Sequence, residues 1–119
     1  MPQIRLECSR EMADALDTAS LFASLHTLVI EKANATLAAC KSRVAVIDKV
    51  YVADGAADRD MAHLDIGLLT GRTPEVLTAV GSEALALLRQ HVAPVAEAKG
   101  LRVETSVRLV DMPPALYFK

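Results

Sequence analysis

Four residues could act together on one small molecule: Pro2, Lys41, Arg43 and Arg72. Pro2 follows Met1, and cytosolic processing usually removes an initiator methionine that precedes a small residue. The exposed Pro2 nitrogen would then be a secondary amine, which is a base. With Met1 in place the same nitrogen is an amide and has no basic character. An ordinary α-amino group titrates near about 8, and a secondary amine is intrinsically more basic. An apolar pocket and nearby cations both disfavour the protonated form. Lys41, Arg43 and Arg72 would supply the cations. Lowered in this way, the amine stays partly neutral at pH 7, where a general base works best. Once protonated it can return the proton elsewhere on the substrate, which is what a keto–enol tautomerase requires.

Arg72 lies between a strand end and a strong helix start, Thr73-Pro74-Glu75. The free N–H groups of a helix start favour an anion, and a guanidinium beside them would complete a carboxylate site. Lys41 and Arg43 share one face of a strand and are expected to hold a second carboxylate. Each residue also has a plainer reading: a strand-starting proline, a surface arginine, a solvated strand edge. His26, His63 and His91 follow no metal-ligand spacing and are expected as surface or packed side chains. Cys8 and Cys40 form neither a zinc motif nor a disulfide framework and are expected as free thiols in a reducing compartment. No glycine-rich phosphate loop, HExxH or GxSxG motif is present.

Alternation and helical spacing supply the elements that must position these groups. PQIRLEC (2–8) alternates as a strand. Residues 12–35 carry Leu21, Leu25, Leu28, Val29 and then Leu37 at helical spacing, with Asp17 or Ser20 as the cap. KSRVAVIDKVYVADG (41–55) returns to period two and ends on the turn signal Asp54-Gly55. MAHLDIGLL (61–69) is a third strand. A capped helix then runs from Thr73 to about residue 98 and stops at Lys99-Gly100. LRVETSVRLV (101–110) is a fourth strand, DMPP breaks it, and ALYFK is expected as a short final strand.

The order strand–helix–strand therefore occurs twice, about 59 residues apart, with RVAVI (43–47) against RVETS (102–106) and IRLEC (4–8) against HLDIG (63–67). The expected class is α+β: one domain over 1–119, with pseudo-repeats about 1–59 and 60–119. Its four-stranded mixed sheet carries both helices on one face. The other face is left uncovered. With 52% hydrophobic residues and a mean hydropathy of +0.28, that face is expected to be buried in a closed oligomer. A net charge of −2 without a basic run argues against nucleic acid as a partner. The absence of a membrane-length apolar run or a leader pattern points to a cytoplasmic protein.

Several short motifs recur in a fixed order. They are Met-Pro opening a strand, ECS ending it, SRV in the second strand, ADG after it, H-x-x-x-x-I/L with GR before the second helix, and a final FK. Together they resemble the 5-carboxymethyl-2-hydroxymuconate Δ-isomerase family of the tautomerase superfamily, along essentially the whole chain. The resemblance implies a homotrimer of doubled β-α-β subunits with no metal or organic cofactor. It implies Pro2 as the amino-terminal base and Arg72, in the GR motif, as the holder of a substrate carboxylate. It also implies a basic residue before the SR pair, arginine in relatives and Lys41 here, which keeps the charge but loses the bidentate fork. Arg43 is less supported by the family pattern. The implied reaction is isomerisation of an unsaturated 2-hydroxy/2-oxo di- or tricarboxylate. Hydration or dehalogenation of an unsaturated acid on the same fold is the alternative. A non-catalytic trimeric binding protein is the reading if Met1 is retained.

Overall fold

The computed structural model describes residues 1–119. Strand β1 (Gln3–Ser9) leads into a short helix α1 (Arg10–Ala15) and then α2 (Thr18–Ala33). Strands β2 (Lys41–Ile47) and β3 (Arg59–Leu69) follow, then the long helix α3 (Pro74–Lys99) and strand β4 (Arg102–Met112). The sheet order is β2-β1-β3-β4. β1–β2 and β3–β4 are parallel, and the two central strands are antiparallel. This is the expected four-stranded mixed sheet of an α+β fold, with β1 and β3 at its centre.

One face of the sheet meets the helices. Ile4, Leu6 and Cys8 of β1 and Ala62, Leu64, Ile66 and Leu68 of β3 are buried against Leu21, Leu25, Leu28 and Val29 of α2 and Val80, Ala84, Leu88 and Val92 of α3. Those helical positions recur every three or four residues, so each helix buries one stripe. Helix α3 starts where Thr73 caps it, its side chain accepting from the Val76 N–H at 3.3 Å, and Pro74 takes the first turn. It runs on through Pro94 and ends at Gly100, whose φ of 65° suits a glycine cap. No helix is long and apolar enough to cross a membrane.

Four sequence expectations change. The helix expected over 12–35 is two helices, because Leu16 turns extended and Asp17 caps a fresh start, accepting from the Ser20 N–H at 3.1 Å. Leu37 leaves the helical stripe and is exposed, in a single 3-10 turn. The second strand stops at Ile47 rather than running to 55, because its partner β1 ends opposite it at Ser9, where α1 begins. Asp54-Gly55 still turns the chain, but inside a loop, with Gly55 at φ 77°. ALYFK adds no strand; Pro114–Leu116 form a 3-10 turn and the chain trails past it.

The matched segments 4–8 and 63–67 are also out of step. Ile4 is in the core, whereas His63 points to the opposite face, hydrogen-bonded to Ser106. Strand faces alternate with period two, so an odd offset between these two core strands swaps their faces.

Candidate active site

Pro2 precedes the first paired residue of the central strand. It is fully buried, and its carbonyl accepts from the Lys41 N–H at 3.1 Å, extending the ladder with β2 by one bond. The start of the chain is therefore held by the best-supported strand of the sheet.

Arg72 reaches this region from the far end of β3. Gly71 at φ 133° turns the backbone out of the strand, a conformation that needs a glycine. The Arg72 side chain does not lie over the start of α3, where the sequence placed a joint anion site. Its Nε and Nη2 both donate to the Ala33 carbonyl, at 3.0 and 2.8 Å, and Nη1 donates to the Leu69 carbonyl at 2.9 Å. Ala33 is the last residue of α2, so the guanidinium sits on the negative end of that helix, which favours a cation. A guanidinium has five N–H donors. Three are used here, and two remain for a ligand. A recess of about 320 Å³ opens beside it, lined by Ala33, Asn34, Gly71 and Arg72. Asn34 closes α2 in the left-handed conformation, φ 56°.

The charge around the chain start is positive. With Met1 present the free amine is on Met1, one residue out from where a Pro2 amine would stand. Burial pushes that amine below its ordinary range, and Arg72, Lys119 and Lys41 push it further, while Cys40 opposes them. Lys41 is otherwise lightly held, its Nζ donating to the Ala39 carbonyl at 3.5 Å. The structure thus brings Pro2, Lys41 and Arg72 to one place, and adds Lys119, which the reading of site residues from sequence missed. The terminal FK was its only signal.

Arg43 is used differently. It lies on the uncovered sheet face, where its Nη1 donates to Gln3 Oε1 at 2.5 Å. It lines a second recess, about 190 Å³, with Gln3, Arg5, Asp65, Gly67, Val110 and Met112. The uncovered face carries more charge than the apolar face the sequence suggested. Asp65 takes both arms of Arg108 at 2.7 and 3.0 Å. His63 bridges Asp65 and Ser106 at 3.0 and 2.7 Å, and Arg5 pairs with Glu7 at 3.3 Å. Glu7, His63 and Asp65 bring ligand atoms within 4.8 Å of one another. Both carboxylates already face a guanidinium, so the group reads as a network tying β3 to β4, with the Arg5–Glu7 pair of β1 beside it. The carboxylates looked isolated in sequence because β1–β3 pairing, not local spacing, sets Glu7 opposite His63.

The family model described as 5-carboxymethyl-2-hydroxymuconate isomerase matches residues 2–119. A 5-carboxymethyl-2-hydroxymuconate Delta-isomerase from Escherichia coli is 29% identical over 119 residues, covering 100% of this chain and 93% of that protein. The crystal structure of a 5-carboxymethyl-2-hydroxymuconate isomerase from Deinococcus radiodurans R1 superposes with a TM-score of 0.84 at 20% identity, covering 99% of this chain and 87% of that one. A fused 4-OT wild type asymmetric trimer superposes with a TM-score of 0.72 at 13% identity, covering 98% and 91%. At such identities the two structural likenesses speak for the fold, and the family match rests on the sequence. The chain belongs to the 5-carboxymethyl-2-hydroxymuconate isomerase family.

Proposed function

We propose that this isomerase moves a proton within an unsaturated 2-hydroxy/2-oxo polycarboxylate such as 5-carboxymethyl-2-hydroxymuconate, with Pro2 as the base once Met1 is removed. The neutral Pro2 amine takes the proton of the 2-hydroxyl. The electron pair left on oxygen forms the 2-oxo group, the double bonds shift along the chain, and the ammonium returns the same proton to a distal carbon. Nothing else is consumed, and no cofactor is needed.

The observation that carries this reading is the convergence of Arg72 and Lys41 on the buried start of β1. Their charges hold the amine partly neutral and stabilise the dienolate-like intermediate. The two unused donors of Arg72 take one carboxylate beside the recess at Asn34, and Lys41 takes a second. Arg43 stands further off, on Gln3. We assign the working unit as a homotrimer, in line with the trimeric 4-OT neighbour, with the charged sheet face turned toward the other subunits.

The test uses protein whose intact mass shows loss of one methionine, assayed on a 2-hydroxymuconate-type dienol. Turnover with a loss of about 10²- to 10⁴-fold in kcat for Pro2→Ala is expected. A Met1-free sample with no activity on any such dienol overturns the reading.

A further inference from the structure

The tail after β4 is tied back to the chain start by one side-chain bond. Gln3 Nε2 donates to Tyr117 Oη at 2.7 Å, across 114 residues of sequence. The orientation of the Gln3 amide is dictated by chemistry: Arg43 has only donors, so it selects the amide oxygen and leaves the NH₂ to face Tyr117. The other hydrogen bonds of the tail, Leu116 N–H to Pro113 and Tyr117 N–H to Pro114, are internal to it. Gln3 is the neighbour of Pro2, and Lys119 is two residues beyond Tyr117. The one tether therefore sets where the last cation of the chain lies relative to the first residues.

We propose that Arg43, Gln3 and Tyr117 form a latch that positions the terminal segment over the chain start, and that Lys119 is by this means a charge partner of the amino-terminal amine. Arg43 and Tyr117 are then positioning residues, acting through Gln3, and not ligands of the substrate. The proposal rests on the proposed function only in taking Pro2 as the free amine. The groups acting on the Met1 amine, one residue out from Pro2, come from each nearby element: Arg72 from the β3–α3 connection, Lys41 from the start of β2 with Cys40 just ahead of it, and Lys119 from the tail. A cation near an amine lowers its pKa, so removing Lys119, or releasing it from the latch, raises it.

The experiment is an NMR titration of ¹⁵N-proline-labelled, Met1-free protein, which reads the Pro2 amine directly and without turnover. Lys119→Gln is expected to raise the amine pKa, and Lys119→Arg to leave it in place. Tyr117→Phe is expected to raise it in the same direction. The Tyr117→Phe/Lys119→Gln pair is expected to move it no further than Lys119→Gln alone, because the tyrosine acts through the lysine. An unmoved amine in Lys119→Gln, or additive shifts in the pair, overturns the latch. Activity on the dienol is scored separately: shifted titration without turnover supports the latch and removes the proposed function, and turnover with unmoved titration does the reverse.

Discussion

Arg72 places two of its N–H groups on a single acceptor, the carbonyl of Ala33, at 3.0 and 2.8 Å. One side chain therefore closes the end of α2 and points charge at the chain start. Under the proposed function binding and architecture share this residue, so its loss has two readouts. Arg72→Ala is expected to raise KM and also to lower stability by about 1–3 kcal/mol, since the helix end loses a charged partner and the Ala33 and Leu69 carbonyls lose their donors. Arg72→Lys restores charge without the planar fork and is expected to recover only part of either. Urea unfolding beside steady-state kinetics measures both. A raised KM with unchanged stability contradicts the structural half of the claim.

Ser9 joins two elements that the sequence shows as separate. Its Oγ accepts from the Met12 N–H at 3.2 Å, capping α1, and donates to Asp60 Oδ2 at 2.7 Å. Asp60 is buried at the start of β3, with its other oxygen on the Met61 N–H at 2.8 Å. Ser9→Ala removes the cap and leaves a buried carboxylate oxygen without that donor, so a loss of about 2–3 kcal/mol is expected. Ser9→Thr keeps the hydroxyl and is expected to lose less. Equal unfolding midpoints for wild type and Ser9→Ala would show that water replaces the hydroxyl freely.

Asp65 gives the fold an acid-sensitive point. Hydrogen bonds from Arg108 hold its carboxyl below the usual range, burial opposes them, and His63 adds to the lowering. Stability from this pairing is full above the unfolded carboxyl value of about 4 and is lost as pH falls through the lower folded value. Arg108 is mostly exposed, so Asp65→Asn is expected to remove less than about 1 kcal/mol at pH 7. The same variant is expected to flatten the fall in stability below about pH 4. Urea midpoints measured down a pH series check this; parallel curves for the two proteins would refute it.

The two thiols differ sharply. Cys8 is buried in the core, and burial, with Asp60 nearby, pushes its pKa up to about 11. Cys40 is half-buried ahead of β2 and is raised by burial, against the pull of the amino terminus and Lys41. Alkylation at pH 8 followed by peptide mass mapping is expected to label Cys40 first, with Cys8 reacting only as the protein unfolds. Labelling of both at one rate under native conditions would contradict the burial of Cys8.

The strands and the two long helices were legible because each buries one face, and the period of that face survives in the residues. Thr73-Pro74 and Lys99-Gly100 marked the ends of α3 because capping is local chemistry. The start of α2 was half legible, since Asp17 was one of two caps the sequence offered, but that residues 10–15 make a separate helix ahead of it was not. The end of β2 is set by its neighbour: Ile47 is the last residue with β1 beside it. Arg72 stood out in the sequence beside the α3 cap, but its partner did not, since a backbone carbonyl 39 residues away leaves no mark on the sequence. Gln3 and Tyr117, 114 residues apart, were invisible as a pair for the same reason.

The sheet order has a consequence for which end of the chain can move. β1 has a strand on each side, whereas the tail hangs from β4, which has only one neighbour. In hydrogen exchange, the amides of 4–8 should be among the slowest and those of 113–119 among the fastest. Lifting the tail breaks one side-chain hydrogen bond and no ladder. The tail can leave Gln3 and return many times while β1, which follows Pro2, stays paired on both sides.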